Sequence, residues 1–176
     1  AATEGFQDAL KELLGDSVTF DPQNASGDSA NCSTIVGGFV SAGVDLIMAN
    51  ATQAVISSAT ATSDIPIVGT SVTDYVTTGT VKSNDAPGGN VTGTSDLAPI
   101  DQQVELLQKL LPDAKNVGIL YCSAEANSVY QAEQAQKYLE KAGINVKTYT
   151  AADSNDIQQV VTKAADENDA IYIPTD

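Results

Sequence analysis

The chain has 176 residues and carries 8 Lys+Arg, all of them Lys, against 23 Asp+Glu, a net charge of −15 with no His and no Trp. So few cations cannot neutralise a run of phosphates, which excludes nucleic-acid binding. Without His there is no Ser-His-Asp triad, no Cys-His pair and no His-type zinc site, while 42% hydrophobic residues mark a folded globular chain rather than an acidic disordered one.

The predicted elements alternate regularly. Phe6, Leu10, Leu13 and Leu14 recur at helical spacing, and Gly15 stops that helix. Ser17 to Phe20 reads as a short strand, and Ser29 to Ala42 as a helix stopped by Gly43. Val44 to Met48 is a buried strand, Thr52 to Ala61 a helix with Thr52 as its cap, and Ile65 to Thr70 a strand. A polar stretch from Thr73 to Gly89 leads to an extended Asn90 to Asp96. The pattern then restarts: helix Ile100 to Leu111, strand Val117 to Tyr121, helix Ala124 to Ala142, strand Ile144 to Tyr149, helix Asn155 to Ala165, strand Ala170 to Ile173.

Strand–helix–strand order with short connections predicts parallel α/β units covered by helices on both faces. The break near Leu97 to Pro99 predicts two lobes, residues 1–97 and 98–176. Two lysines against eleven acids make the first −9, and six against twelve make the second −6, so neither has a basic docking face. The first helix has no strand before it, although a βαβ unit needs one, and in a doubly wound sheet the first strand is central. We therefore expect both lobes to be incomplete: the first lacks its opening strand, and the second continues beyond the last residue. The N-terminus is read as processed or truncated. Cys32 and Cys122 are expected to be small, semi-buried and unbridged.

Ligands of open α/β sheets bind beyond the carboxyl ends of the strands. Those ends carry Ala49-Asn50-Ala51-Thr52-Gln53, Ser71-Val72-Thr73-Asp74, Thr94-Ser95-Asp96, Cys122-Ser123-Ala124-Glu125-Ala126-Asn127-Ser128 and Pro174-Thr175-Asp176. All are rich in small, hydroxylated or acidic residues. Hydroxyls and helix N–H groups suit a carboxylate, and Asp or Glu an ammonium, so the set suits a zwitterion such as an amino acid. Taken singly, Thr52, Ser123 and Asn127 also read as N-caps, and Asp74 and Asp96 as Asx-turn formers. Gly88-Gly89-Asn90 opens no helix and is a turn, not a dinucleotide fingerprint. Asp153-Ser154-Asn155-Asp156 lacks the calcium-loop continuation and reads as a helix cap. No cofactor and no metal are expected.

Several segments, in order, carry a family resemblance: EGFQDAL, VTFDPQNASGD, VDLIMANATQA, IPIVGTSVTD, APGGNVTGTSDL, QQVELLQKLLPDAKNVGILY, SAEANSVYQ, SNDIQQV and DAIYIPTD. Together they resemble the ABC-transporter substrate-binding proteins of the tryptophan/tyrosine type, over essentially the whole chain. The resemblance implies a type I periplasmic-binding fold and an extracytoplasmic, lipid-anchored location, with the anchor outside this sequence. It also implies no enzymatic activity, an amino-acid ligand (Trp, Tyr or Phe) and ABC permease subunits as partners. By position it makes Ala51 and Thr52 carboxylate binders. Thr73 and Asp74 then line the first lobe's edge, Ser95 stands where the chain crosses between lobes, and Glu125, Asn127 and Ser128 serve the second lobe. Asp176 becomes the ammonium partner. The sequence departs from the family pattern at Cys122, where Asn is expected, and at Gln53, where Pro is expected. A ligand-sensing domain of a signalling receptor with the same fold is the alternative; a doubly wound enzyme has no nucleophile–base pair to support it.

Overall fold

A computed structural model describes residues 1–151 and 155–175. The chain divides into two compact units, Ala1–Leu97 and Ala98–Asp176.

In unit 1, α1 (Ala2–Leu14) and a short 3-10 turn (Gly15–Ser17) precede α2 (Ser29–Ala42), β1 (Ile47–Asn50), α3 (Thr52–Ala61), β2 (Ile67–Val72) and β3 (Val91–Ser95). Helix α2 begins where the Asp28 carboxylate accepts the Asn31 N–H at 2.7 Å, which satisfies one orphan donor of the first turn. It ends at Gly43, whose φ of 67° is the left-handed conformation that glycine adopts without strain. The three strands are parallel in the order β1-β2-β3. Ile47, Ile67 and Val91 stand in one row across them. With Val36, Ala49, Val55, Val72 and Tyr75 they form the core under α2 and α3.

Three expectations fail in this unit. The first is the strand at Ser17 to Phe20. Val18 has extended φ and ψ, yet no strand of the described residues pairs with this run, and an extended segment without a ladder is not a strand. The second is helical cover on both sheet faces: α1 buries none of its residues, and Met48 and Val68, which alternate with the core row, are only half-buried. The third is the reach of the first strand. Pairing starts at Ile47, not Val44, because Ile47 N–H is what first meets the neighbouring chain, at Pro66 O, 2.9 Å.

In unit 2, α4 (Ile100–Leu110), β4 (Asn116–Cys122), α5 (Ala126–Lys141), β5 (Asn145–Ala151), α6 (Ile157–Glu167) and β6 (Ala170–Tyr172) follow. The sheet is parallel in the order β5-β4-β6, with the first strand of the unit central, as doubly wound sheets require. Ile100, Val104, Val117, Ile119, Ala132, Ala135, Leu139 and Tyr172 pack on one side. Leu120, Tyr149 and Ala164 pack on the other, against Val160 and Val161 of α6. This sheet is covered on both faces.

At the N-terminal end of β4 the Asp169 carboxylate accepts the backbone N–H groups of Lys115 and Asn116, both at 2.9 Å. Those bonds hold its carboxyl below the ordinary aspartate range. Glu167 is likewise lowered, first by the hydrogen bond from Lys147 and then by that from the Tyr149 hydroxyl. A carboxyl with a depressed folded pKa contributes its stability fully at neutral pH. It loses that contribution as pH falls from the unfolded value through the lower folded one. We expect the protein to lose stability on acidification below the ordinary carboxylate range. Asp169→Asn should melt lower than wild type at pH 7, and the gap should close in acid. Parallel melting curves of the two at every pH would contradict this.

Candidate functional site

The parallel strands of each unit end at a common sheet edge, and the sequence-predicted residues stand there. In unit 1, β1 runs into Ala51, whose N–H donates to Thr70 O at 2.9 Å. Ala51, not Thr52, is the N-cap of α3, with φ 83° and ψ 159°. That region is essentially reserved for glycine and costs about 1–3 kcal/mol in any other residue. Strain of this kind persists where the surroundings fix it, here the bond to Thr70 and the one from Val55 N–H to Ala51 O, 3.2 Å. Thr52 is therefore the first helical residue, 6% exposed. The turn leaves the first-turn N–H groups of α3 at the sheet edge, where helix termini favour negative charge.

Thr73 is buried and Asp74 half-buried just past β2. Asp74 Oδ1 accepts Thr77 N–H at 2.7 Å, and Oδ2 accepts the Asn84 amide at 3.0 Å. Burial raises its pKa, but the hydrogen bonds from Asn84, Thr77 and Val76 outweigh burial and leave the carboxyl below its ordinary value. It is ionised, and it holds the 74–84 loop as an Asx-type turn. Ser95 is exposed. Its hydroxyl donates to Thr73 O at 2.7 Å and accepts Leu97 N–H at 3.3 Å, so its hydrogen is committed to fastening the ends of β2 and β3 together.

Tyr75 lies behind this edge. It is 5% exposed, and its hydroxyl donates to Thr94 O at 3.1 Å. Burial and then the nearby Asp96 charge push the phenol pKa up, which keeps the hydrogen on that oxygen. The ring crosses β2 and β3 over Gly69 and Gly93, the positions where it needs an absent Cβ.

In unit 2, β4 ends at Cys122, and Glu125, not Ser123 or Asn127, is the N-cap of α5. Asn127 and Ser128 occupy its first turn; Ser128 is fully buried and Asn127 half-buried. Glu125 is half-buried beside them. Past β6, Thr175 is bonded to Gln131 of α5, which brings the end of β6 to the start of α5. Asp176 lies outside the described residues, as do Asp153 and Ser154; the N-cap of α6 is Asp156. Unit 1 thus gathers Ala51, Thr52, Thr73, Asp74 and Ser95 on its edge, and unit 2 gathers Glu125, Asn127 and Ser128 on its own.

Sequence reasoning missed Tyr75 and Gln131. Gln131 had a signal: it shares a helical stripe with Ser128, Ala135 and Leu139, which makes it a polar residue on an inward face. Tyr75 had none, since its partners come from a strand 19 residues away. Cys32 and Cys122 are both free thiols. No group of His, Cys, Asp and Glu among the described residues could hold a metal, and no described helix is long and apolar enough to cross a membrane.

Comparison with known proteins places this architecture. The family profile described as ABC transporter substrate binding protein matches residues 1–176, and the chain belongs to that family. A tyrosine-binding protein of Clostridioides difficile (strain R20291) is 39% identical over 99% of this chain and 52% of its own length. A crystal structure of an ABC domain in complex with L-Trp, from Streptococcus pneumoniae, is 40% identical, with a TM-score of 0.93 over 98% of this chain and 59% of that one. A conserved domain protein from Vibrio cholerae is 38% identical with a TM-score of 0.90, over 96% and 58%. The chain spans between half and three-fifths of the length of these relatives. The fold is the type I periplasmic-binding fold, and the family to which the chain belongs is one of substrate-binding proteins, not enzymes.

Proposed function

We propose that the protein carrying this chain is the extracytoplasmic, lipid-anchored solute receptor of an ABC importer, and that it binds an aromatic amino acid between two lobes. The support is the L-Trp complex at 40% identity, together with the tyrosine-binding relative. In this reading the ligand carboxylate meets the strained turn at Ala51 and Thr52, with Thr73, Asp74 and Ser95 lining the first lobe's edge. Glu125, Asn127 and Ser128 face the ligand from the second lobe, and Asp176 takes the ammonium. Ser95 and Asp74 act through the loops they hold, since their polar atoms are already engaged. The lobes close on the ligand by a hinge motion and hand it to permease subunits.

The test is a thermal-shift panel on the full-length protein, followed by native mass spectrometry. Ligand at 100 times its Kd stabilises the folded state by about 2.7 kcal/mol. A rise in Tm with L-Trp, L-Tyr or L-Phe, without turnover, is the expected result. No response to any amino acid would remove the proposal.

A further inference from the structure

Among the described residues three non-glycine residues have positive φ: Ser26, Ala51 and Ser71. Ser26 lies in a turn that the Asn24 side chain holds. The other two are neighbours. Asn50 pairs with Thr70, and Ala51 N–H donates to Thr70 O at 2.9 Å, so the strained ends of β1 and β2 lie side by side on the sheet edge of unit 1. Ser71, with φ 56°, stands in a β-bulge. Gly69 pairs with Gly93 and Val72 with Ser95, so Thr70 and Ser71 together oppose Thr94 alone. Bonds on the far side lock the bulge: Thr94 O accepts the Tyr75 hydroxyl at 3.1 Å, Val72 O accepts Asp96 N–H at 2.9 Å, and Thr73 O accepts the Ser95 hydroxyl at 2.7 Å. The bulge shifts the alternation of the strand. Ile67 and Gly69 face the core, and past the bulge Val72 does, while Ser71 is left half-buried at the edge. Glycine takes the left-handed region without strain, and bulges beside binding sites re-aim side chains. A serine there costs free energy that a glycine would not. Its hydroxyl returns none of it within the fold, because it has no hydrogen-bond partner among the described residues.

We propose that Ser71 is a further ligand-binding residue of the first lobe: its hydroxyl, set at the edge by the bulge, donates to the ligand carboxylate beside the turn at Ala51 and Thr52. The proposal rests on the functional reading above and adds a side-chain donor to the backbone N–H groups of that turn. A hydroxyl kept free of partners in the fold has its hydrogen available for an anion, and a hydrogen bond to a charged group is among the stronger ones. The competing account is that the bulge only returns Val72 to the core. Glycine at position 71 would then serve as well as serine, in binding as in folding.

The experiment uses the full-length protein, with titration calorimetry against L-Trp, or against L-Tyr or L-Phe where only that one binds, and a thermal melt of each variant. Ser71→Gly removes the hydroxyl and suits the backbone conformation. Ser71→Ala removes the hydroxyl and keeps the strain. Both should weaken binding by the same factor, about 10-fold or more, as for one lost hydrogen bond to a charged group. Neither should melt below wild type, since no contact within the fold is lost. That split, affinity down and Tm kept, is what a merely structural serine would not produce. Wild-type affinity in Ser71→Gly overturns the proposal while the functional reading stands. So does wild-type affinity in Ser71→Ala beside a loss in Ser71→Gly, which would trace the loss to backbone freedom rather than to the hydroxyl. If one variant fails to fold, the other decides alone. If wild type binds no aromatic amino acid, the functional reading has failed and the proposal falls with it.

Discussion

Gly93→Ala is expected to destabilise unit 1 by about 3 kcal/mol, at the upper end of overpacking costs. A Cβ on Gly93 would overlap both the Tyr75 hydroxyl and the Gly69 carbonyl. Neither can retreat. The carbonyl belongs to β2, whose Gly69 is paired with Gly93 itself, and the hydroxyl is tied to Thr94 O at 3.1 Å. For a unit of this size the shift in Tm is roughly 10–20 °C. Tyr75→Phe in the Gly93→Ala background removes one of the two overlaps and should recover part of the loss. Tyr75→Phe alone should cost about 1 kcal/mol for its hydrogen bond. Gly37→Ala is the control: it lies inside α2 with nothing within 4 Å of a new Cβ, so replacing a mid-helix glycine there should stabilise by about 0.5–1 kcal/mol. Thermal melts of the four variants check the set. A Gly93→Ala protein that melts with wild type would show that the strands separate more easily than this packing allows.

The 176-residue polypeptide on its own is expected to self-associate. In unit 2, Leu106 and Leu110 of α4 and Ile173 after β6 are 54%, 69% and 66% exposed. They line an apolar groove with Leu107 and Ile171, beside the side of β6 that pairs with no strand among the described residues. In unit 1, Leu13 is 77% exposed on a helix that buries nothing. Each such side chain gains about 1.5–3 kcal/mol on burial, and open strand edges template pairing with another chain. Light scattering should show oligomers, with strong binding of an apolar dye. Leu110→Lys together with Ile173→Lys should shift the population towards monomer by placing charges on that groove. A sharp, monomeric, dye-silent species without those substitutions would refute the expectation.

Much of the fold was legible because its periodicities are strong. Helix α3 begins and ends at the expected residues, Thr52 and Ala61, and VGILY lies wholly within β4. Where the reading failed, the missing information was non-local. Ser17 to Phe20 has strand composition, but a strand exists only through its neighbour. Thr52 has cap chemistry, yet the turn at Ala51 is fixed by the bond to Thr70 of another strand, and that bond moves the cap back by one residue. Helix α5 begins at Ala126, not Ala124, because Glu125 N–H is taken by Cys122 O at 3.3 Å in the turn that closes β4. At the candidate site, the residue types at the strand ends were readable from spacing alone. Their engagements were not: nothing local says that Asp74 holds Asn84, that Ser95 holds Thr73, or that a glutamine in the core of α5 holds the end of β6.

The clamp between Gln131 and Thr175 joins residues 44 positions apart. Its closure must wait for β6 to dock on β4, and a contact of such sequence separation forms late, because the loop entropy is lost before the contact rewards it. On the ribosome, residue 175 emerges only after all of α5 and β5 have been made. The segment after β6 is thus expected to be among the last features of unit 2 to mature, on a core that has already folded.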